Sequence, residues 1–256
     1  MLGKLMKYEF KSTARIFTPL YAAMLIVSLV NRLLSNRPTD TPYIISMVVV
    51  SMLIGAAFVI TLILTLQRFY KNLLGSEGYL MHTLPVSVNQ LIWSKLLVAT
   101  VWTIVCAGVV CLSIAIMALS VGEFQAFIQS FTQIRLAGYD EFAFIVECIA
   151  IVLASVMSGI VFLYACMALS MLFNKHRVAV SFGFFIVITT VAQILMAIVV
   201  EFAPNHLIGN VDTLFQNNEM LEAHALLVVI LLIVAAIGAL FFALTHHMLK
   251  NKLNLQ

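Results

Sequence analysis

Charged residues are scarce in this sequence. Only 10% of its 256 residues are Asp, Glu, Lys or Arg, whereas 63% are hydrophobic and the mean hydropathy is +1.09. About a quarter of the residues in a soluble globular domain are charged, so this chain has too little polar surface to enclose a core in water. The composition therefore excludes a soluble domain and predicts an integral membrane protein, for which we expect no nucleic-acid partner.

Motifs of enzymes and metal sites are also missing. The four cysteines lie inside hydrophobic runs, without the spacing of a disulfide framework or a metal site. No G-x-x-x-x-G-K-[ST] phosphate-binding loop occurs, and the one Gly-Lys pair, Gly3-Lys4, lacks the upstream glycine. His246 and His247 are adjacent, so on a helix they point about 100° apart, with no third ligand near them in sequence. We expect no catalytic site, metal site or cofactor in this chain.

Long hydrophobic runs are what the sequence does have. Inside a bilayer every backbone amide must be hydrogen-bonded within the protein, and a helix needs about 20 mostly apolar residues to cross. Six runs meet or approach this length: 16–34, 44–66, 96–120, 145–173, 178–200 and 224–245. We therefore predict an all-α membrane protein in which residues 1–256 form a single domain of six transmembrane helices.

The distribution of basic residues predicts the side of the membrane that each connection faces. If the amino terminus is cytoplasmic, eleven of the 14 Lys and Arg residues lie inside the cell. These eleven are Lys4, Lys7, Lys11, Arg15, Arg68, Lys71, Lys95, Lys175, Arg177, Lys250 and Lys252. Because basic residues are enriched in cytoplasmic connections, both termini are predicted to be cytoplasmic, and the connections 121–142 and 201–223 are predicted to be extracellular.

The segment before the first span, residues 2–15, is amphipathic. On a helix its apolar and basic side chains would lie on different faces, with Leu2, Leu5, Met6 and Phe10 on one and Lys4, Lys7, Lys11 and Arg15 on the other. A helix of this kind lies in the membrane interface, with its cations near anionic headgroups. We therefore predict an interfacial helix, and a plain positively charged anchor is the alternative.

The connection between the second and third spans, residues 67–95, has the signals of a rigid structure. Ser87 followed by Gln90 is typical of a capping box, so a helix is predicted to begin directly after Ser87 and to continue into the third span. Gly75 and Gly78 allow the chain to reverse before it. Apolar residues held rigidly in water favour a docking surface. Packing against the protein's own helix ends is the alternative.

One acidic residue, Glu147, lies close to the interior of a predicted span. An ionisable residue inside a membrane is costly and is often functional. Because Glu147 is near the outer end of the fourth span, we expect its carboxylate to extend to water, and a role in proton transfer is the alternative.

The stretch RFYKNLLGSEGYLMHTLPVSVNQLIWSKLL resembles the first cytoplasmic loop of type-2 ABC-exporter permeases, which are small six-span bacterial subunits with the type V exporter fold. That family has a recurring E-G-Y-L-x-x-T-L-P-V segment before a helix that ends in S-K. The matching residues here are Glu77, Gly78, Tyr79, Leu80, Thr83, Leu84, Pro85, Val86, Ser94 and Lys95. The resemblance implies that this loop is the cytoplasmic coupling helix. Its ATPase-docking residues would be Glu77, Gly78, Tyr79, Leu80, Met81, His82, Thr83, Leu84 and Pro85.

The resemblance also implies a function and partners. The chain would be the permease of an exporter in the bacterial plasma membrane, paired with a second permease copy or paralogue. ATP and Mg²⁺ would bind a separate ABC ATPase subunit. Polar residues of the second and fifth spans would line the path of an amphipathic or hydrophobic substrate, namely Thr61, Thr65, Thr189, Thr190 and Gln193. Bonding of the hydroxyls to their own helix backbone is the alternative for these residues. A non-transporting scaffold, immunity or sensor protein with the same fold is the alternative function.

Overall fold

A computed structural model describes most of the chain. The described ranges are 2–35, 41–74, 87–118, 139–173, 176–202 and 219–251, together with residues 123, 125, 126 and 129. Within these ranges the protein is all-α, and six helices are long and apolar enough to cross a membrane. The predicted class and the predicted number of spans are therefore confirmed, and the chain is a multi-pass membrane protein.

The six helices are longer than the hydrophobic runs that predicted them. Their bounds are α1 Leu2–Leu34, α2 Thr41–Phe69, α3 Val88–Ala118, α4 Tyr139–Ser170, α5 Arg177–Phe202 and α6 Glu219–Asn251. A π-helical turn, Tyr70–Leu74, follows α2 directly. About half of the added residues are polar or charged and lie at the helix ends, which a hydropathy criterion leaves out.

Two helix ends show how local hydrogen bonds set these bounds. The helix predicted after Ser87 is confirmed, since α3 begins at Val88 and the Gln90 amide donates to Ser87 Oγ at 3.4 Å. The fourth span was predicted to reach residue 173, but α4 ends at Ser170. There the amides of the next three residues donate to carbonyls three positions back, at 3.1–3.2 Å, and this tightens the final turn.

The predicted interfacial segment, residues 2–15, is not a separate helix among the described residues. It is the first part of α1, which continues to Leu34 as one helix of 33 residues. At 1.5 Å per residue such a helix is about 50 Å long, whereas the hydrocarbon core of a bilayer is about 30 Å thick. The buried side of this part of α1 also differs from the apolar face expected from the sequence, because it contains Glu9 and Thr13.

The chain divides into two compact units, Met1–Leu136 and Ala137–Gln256. In the first unit, α1 packs against both α2 and α3. An aromatic cluster joins them around Trp102 of α3, whose ring centroid lies 4.7 Å from that of Phe17 and 4.8 Å from that of Phe10 on α1. Nearer the other end of α1, the buried Asn31 amide donates to Ser46 Oγ of α2 at 2.7 Å. Hydrogen bonds of this kind stabilise helix pairs inside membranes.

In the second unit, α4 packs most extensively against α6 and also contacts α5. Ser158 of α4 donates its hydroxyl to the Val234 carbonyl of α6 at 2.9 Å. A Cβ atom at Gly238 would lie 2.4 Å from Ser158 Oγ, so a larger residue here would displace this hydroxyl from its bond to the Val234 carbonyl. Phe162 of α4 extends the contact, with its ring centroid 5.0 Å from that of Phe241. Small residues at such a crossing are typical of helix pairs in membranes.

Candidate functional site: a charge cluster joining three helices

A group of charged and polar side chains joins all three helices of the first unit. Glu9 is in the early part of α1, Arg68 is in the last turn of α2, and Lys95 is near the start of α3. Ser12 of α1 completes the group. We call these four residues the Glu9 cluster. It lies where the chain leaves α2 and where it enters α3.

The Glu9 carboxylate contacts one cation with each of its oxygens. Arg68 Nη1 lies 2.9 Å from Glu9 Oε2 and also donates to the Glu9 carbonyl at 3.4 Å. Arg68 Nη2 donates to Ser12 Oγ at 3.0 Å. Lys95 Nζ is in direct contact with Glu9 Oε1. Hydrogen bonds in which both groups are ionised are among the stronger ones in proteins, so the carboxylate holds α2 and α3 to α1 together.

The three charged side chains of the cluster are largely shielded from solvent. The Lys95 side chain is 4% exposed, that of Glu9 10% and that of Arg68 22%. A solvent-exposed ion pair contributes only about 0–1 kcal/mol. Removing one member of a buried pair, in contrast, leaves a charge without compensation and costs about 3–5 kcal/mol. The burial of Glu9 and Lys95 therefore makes these contacts hard to replace.

Apolar residues fix the helix ends next to the cluster. Phe69, directly after Arg68, and Leu73 of the π-helical turn are fully buried. Leu91 and Ile92, in the first turns of α3, are buried as well. π-helical turns are rare and occur frequently at functional sites. The 75–86 segment is thus flanked on both sides by firmly packed structure.

The predicted ATPase-docking residues lie in this segment. Glu77, Gly78, Tyr79, Leu80, Met81, His82, Thr83, Leu84 and Pro85 are all outside the described residues. Their role as a docking surface, and the coupling helix that the resemblance implies, stay predictions. The predicted extracellular connections are likewise mostly outside the described ranges.

The predicted pathway residues are found on two helices in different units. Thr61 and Thr65 lie one turn apart on α2, where Thr61 is buried and donates its hydroxyl to the Ala57 carbonyl at 2.7 Å. Thr189 on α5 donates to the Phe185 carbonyl at 2.7 Å. These two threonines therefore bond to their own helix backbone, which was the alternative expected for them.

Thr190 and Gln193 on α5 have exposed side chains. A threonine hydroxyl that donates to the backbone keeps its lone pairs as acceptors. The bonds of Thr61 and Thr189 are therefore compatible with a second polar contact, and a role of these residues in a substrate pathway stays a prediction.

A second charged contact lies in the other unit. His224 Nδ1 on α6 is 2.8 Å from Glu147 Oε2 on α4, with side chains 19% and 25% exposed. The Phe144 ring packs edge-on against His224, at 6.2 Å between centroids. The Glu147 carboxylate was expected to extend to water, and this expectation omitted a partner 77 positions away. Because both side chains remain partly exposed, this contact is less shielded than the Glu9 cluster.

Two features of the sequence pointed to the Glu9 cluster, but the orientation rule, which counts basic residues, did not take them into account. Glu9 is an acid within an otherwise basic amino-terminal segment, and Lys95 is a cation within an otherwise apolar stretch of α3. Lys95 entered only as a basic residue of the orientation rule and as part of the S-K match, and Glu9 was given no role. An isolated charge in an apolar helix needs a partner, so Lys95 could have been matched to a carboxylate, although not to Glu9 in particular.

Metal-ligating side chains do not converge in the part of the chain that the structure describes, where no group of three or more His, Cys, Asp or Glu side chains could hold an ion. What the helices and the cluster define is a class, a multi-pass α-helical membrane protein with a charged contact among three helices of its first unit. Comparison with family models, with curated proteins and with solved structures finds no match for this chain.

Proposed function

We propose that this chain is the membrane-spanning subunit of an ATP-driven ABC exporter. One observation supports the proposal most. The residues that resemble the coupling loop of type-2 permeases, 77–86, lie directly between α2 and α3, and the ends of those two helices are tied to α1 through Glu9. A loop that transmits movement into a membrane domain needs rigid attachment on both sides, and buried ion pairs with apolar packing supply it.

The charge distribution supports a cytoplasmic location for this end of the first unit. Lys7, Lys11 and Arg15 are exposed along α1, each four residues from the next, so they follow one side of the helix. Basic residues of this kind favour the cytoplasmic side. In the proposed orientation both termini are inside the cell, where ATP is available to a partner that contacts the 75–86 segment.

The chemistry is divided between subunits. This chain has no phosphate-binding loop, so ATP and Mg²⁺ would bind a separate ABC ATPase. Two permeases, identical or paralogous, would alternate between inward-open and outward-open states as the ATPase dimer closes and opens. An amphipathic or hydrophobic substrate, such as a peptide, an antibiotic or a lipid-like molecule, would pass along Thr61, Thr65, Thr189, Thr190 and Gln193.

The first test is copurification with an ABC ATPase encoded beside this chain. We expect a stable complex in detergent, and we expect Tyr79→Ala to weaken it by about 5- to 150-fold in Kd, since interface energy concentrates in a few anchors worth about 1–3 kcal/mol each. Tyr8→Ala is the matched control, because Tyr8 is also a tyrosine and is 73% exposed on α1 but lies outside the loop. A chain that purifies and functions without any ATPase would contradict the proposal and favour a scaffold, immunity or sensor protein.

A further inference from the structure

We propose that Glu9 is a positioning residue for the 75–86 segment: it joins the two flanks of that segment through α1, so that α1, α2 and α3 move together when the segment is displaced. The inference rests on the proposed contact between this segment and an ATPase. It goes further by assigning the mechanical connection to a residue outside the loop, on the amino-terminal helix.

The path of the contacts supports this assignment. Arg68 lies in the last turn of α2, just before the π-helical turn that leads to the segment, and Lys95 lies about two turns into the helix that leaves it. One carboxylate contacts both cations, through Oε2 and Oε1 respectively. The two flanks are therefore connected across a single side chain of a third helix, independently of the conformation of the segment.

Burial makes the connection stiff. A solvated ion pair breaks and re-forms freely and could not transmit a displacement. Lys95, with only 4% of its side chain exposed, cannot exchange Glu9 for water without a large cost in desolvation. The Arg68 guanidinium is held at two further points, the Ser12 hydroxyl and the Glu9 carbonyl. The guanidinium is planar, so these bonds also fix its orientation.

Because one carboxylate contacts two cations, substitutions in the cluster should reduce coupling to different extents. Glu9→Gln removes the carboxylate charge that both cations contact, so both flanks are loosened at once. Lys95→Gln and Arg68→Gln each leave one ion pair intact, so each should loosen one flank. The expected order of the defect is therefore Glu9→Gln first, with the two single-cation variants weaker.

The experiment uses the assembled complex of permease and ATPase in proteoliposomes. It measures three quantities: the amount of ATPase bound, the stimulation of ATP hydrolysis by substrate, and the substrate transported per ATP. For Glu9→Gln we expect ATPase binding within about twofold of the native chain, but at least a tenfold fall in transport per ATP. A merely structural role would lower binding and transport in parallel, with transport per ATP unchanged.

Two further variants and a control make the test specific. The exchange of Glu9→Lys with both Arg68→Glu and Lys95→Glu restores both contacts of α1 in reverse, and it should recover at least half of the transport per ATP lost in Glu9→Lys alone. Glu9→Asp keeps the charge and should retain more coupling than Glu9→Gln. Glu147→Gln is the control, because it removes the carboxylate charge of the pair in the second unit and should leave coupling unchanged.

The possible failures are distinguishable. If no ATPase binds the native chain, the proposed function is wrong and the inference falls with it. If the complex forms but Glu9→Gln transports normally per ATP, the inference is wrong while the proposed function stands. Should Glu9→Gln fail to fold, Lys95→Gln and Arg68→Gln decide the matter, and normal coupling in both would overturn the inference.

Discussion

The two units of this protein hold their helices together by different means. In the first unit, the ends of α1, α2 and α3 are joined by the Glu9 cluster, with an aromatic group around Trp102 next to it. In the second unit, α4 and α6 approach closely because Gly238 lies against Ser158, and the charged contact between Glu147 and His224 is partly exposed. One unit depends on charge and the other on close packing.

The difference follows from where each contact lies along its helices. Glu9 precedes the charge-free part of α1, which begins after Arg15, and the whole helix is longer than the bilayer core, so its ion pairs need not be buried in lipid. Gly238 and Ser158 lie in the middle of apolar helices, where a charge would be costly and small residues allow dense packing instead. The charged contacts of the first unit therefore lie close to the helix ends that flank the 75–86 segment.

The largest effect on stability is expected at Glu9. Glu9→Ala leaves Lys95 and Arg68 without the carboxylate they share and should lower the free energy of unfolding by about 3 kcal/mol. Glu147→Ala, the corresponding change in the second unit, should cost about 1 kcal/mol because its side chain and that of His224 are partly exposed. Unfolding in mixed micelles with an increasing fraction of sodium dodecyl sulfate measures both losses of stability. Equal losses would show that the greater burial of the Glu9 contacts does not give them a larger contribution to stability.

The second-largest effect on stability is expected at Gly238. Gly238→Ala places a Cβ against Ser158 Oγ and forces this hydroxyl away from the Val234 carbonyl. Gly159→Ala is the control, since its new Cβ would meet nothing within 4 Å. Its effect on stability therefore reflects helix propensity alone. We expect the two variants to differ by about 2 kcal/mol in the free energy of unfolding, with Gly238→Ala the less stable.

A second substitution sharpens this test of the close packing. Ser158→Ala removes the clashing oxygen, and its own Cβ would remain at an ordinary distance of 3.5 Å. Adding Ser158→Ala to Gly238→Ala should therefore restore most of the lost stability. If it restores none, the contact between α4 and α6 is not limited by Ser158.

A smaller effect is expected at Asn31, the buried amide between α1 and α2. Asn31→Ala removes the hydrogen bond to Ser46 and should cost about 1 kcal/mol. Ser51→Ala is the control, because the exposed Ser51 hydroxyl bonds only within α2, to the Met47 carbonyl at 3.0 Å, among the contacts described. The same unfolding titration compares them, and a loss in Ser51→Ala as large as in Asn31→Ala would contradict the role assigned to Asn31.

The smallest effect on stability per substituted residue is expected on α5. The combined variant Thr189→Val, Thr190→Val, Gln193→Leu changes exposed or partly exposed side chains and should shift the free energy of unfolding by less than about 0.5 kcal/mol per site. Transport should nevertheless fall, if these residues line the pathway. Unchanged transport and unchanged substrate-stimulated ATP hydrolysis would place the pathway elsewhere.

The sequence was sufficient to predict the all-α class, the six spans and the start of α3, because these depend on local hydrophobicity and capping. It did not predict the continuity of α1, since the basic residues of its first turns suggested a separate interfacial element. The Glu9 cluster and the pair of Glu147 with His224 were missed for a different reason. The oppositely charged partners in these contacts are separated by 59 to 86 positions, and hydropathy and charge counts contain no information on such pairings.

Cysteine cross-linking from the 75–86 segment tests the central claim most directly. Met81→Cys or His82→Cys should cross-link to lysines of the ABC ATPase, through a short reagent that joins a thiol to an amine, in an assembled, transporting complex, while Tyr8→Cys at an exposed position of α1 should not. Pro85→Ala in the same complex should leave ATPase binding nearly normal but abolish the response of ATP turnover to substrate. If neither position cross-links in an active complex, this segment does not contact the ATPase, and the proposed function and the role of Glu9 are both contradicted.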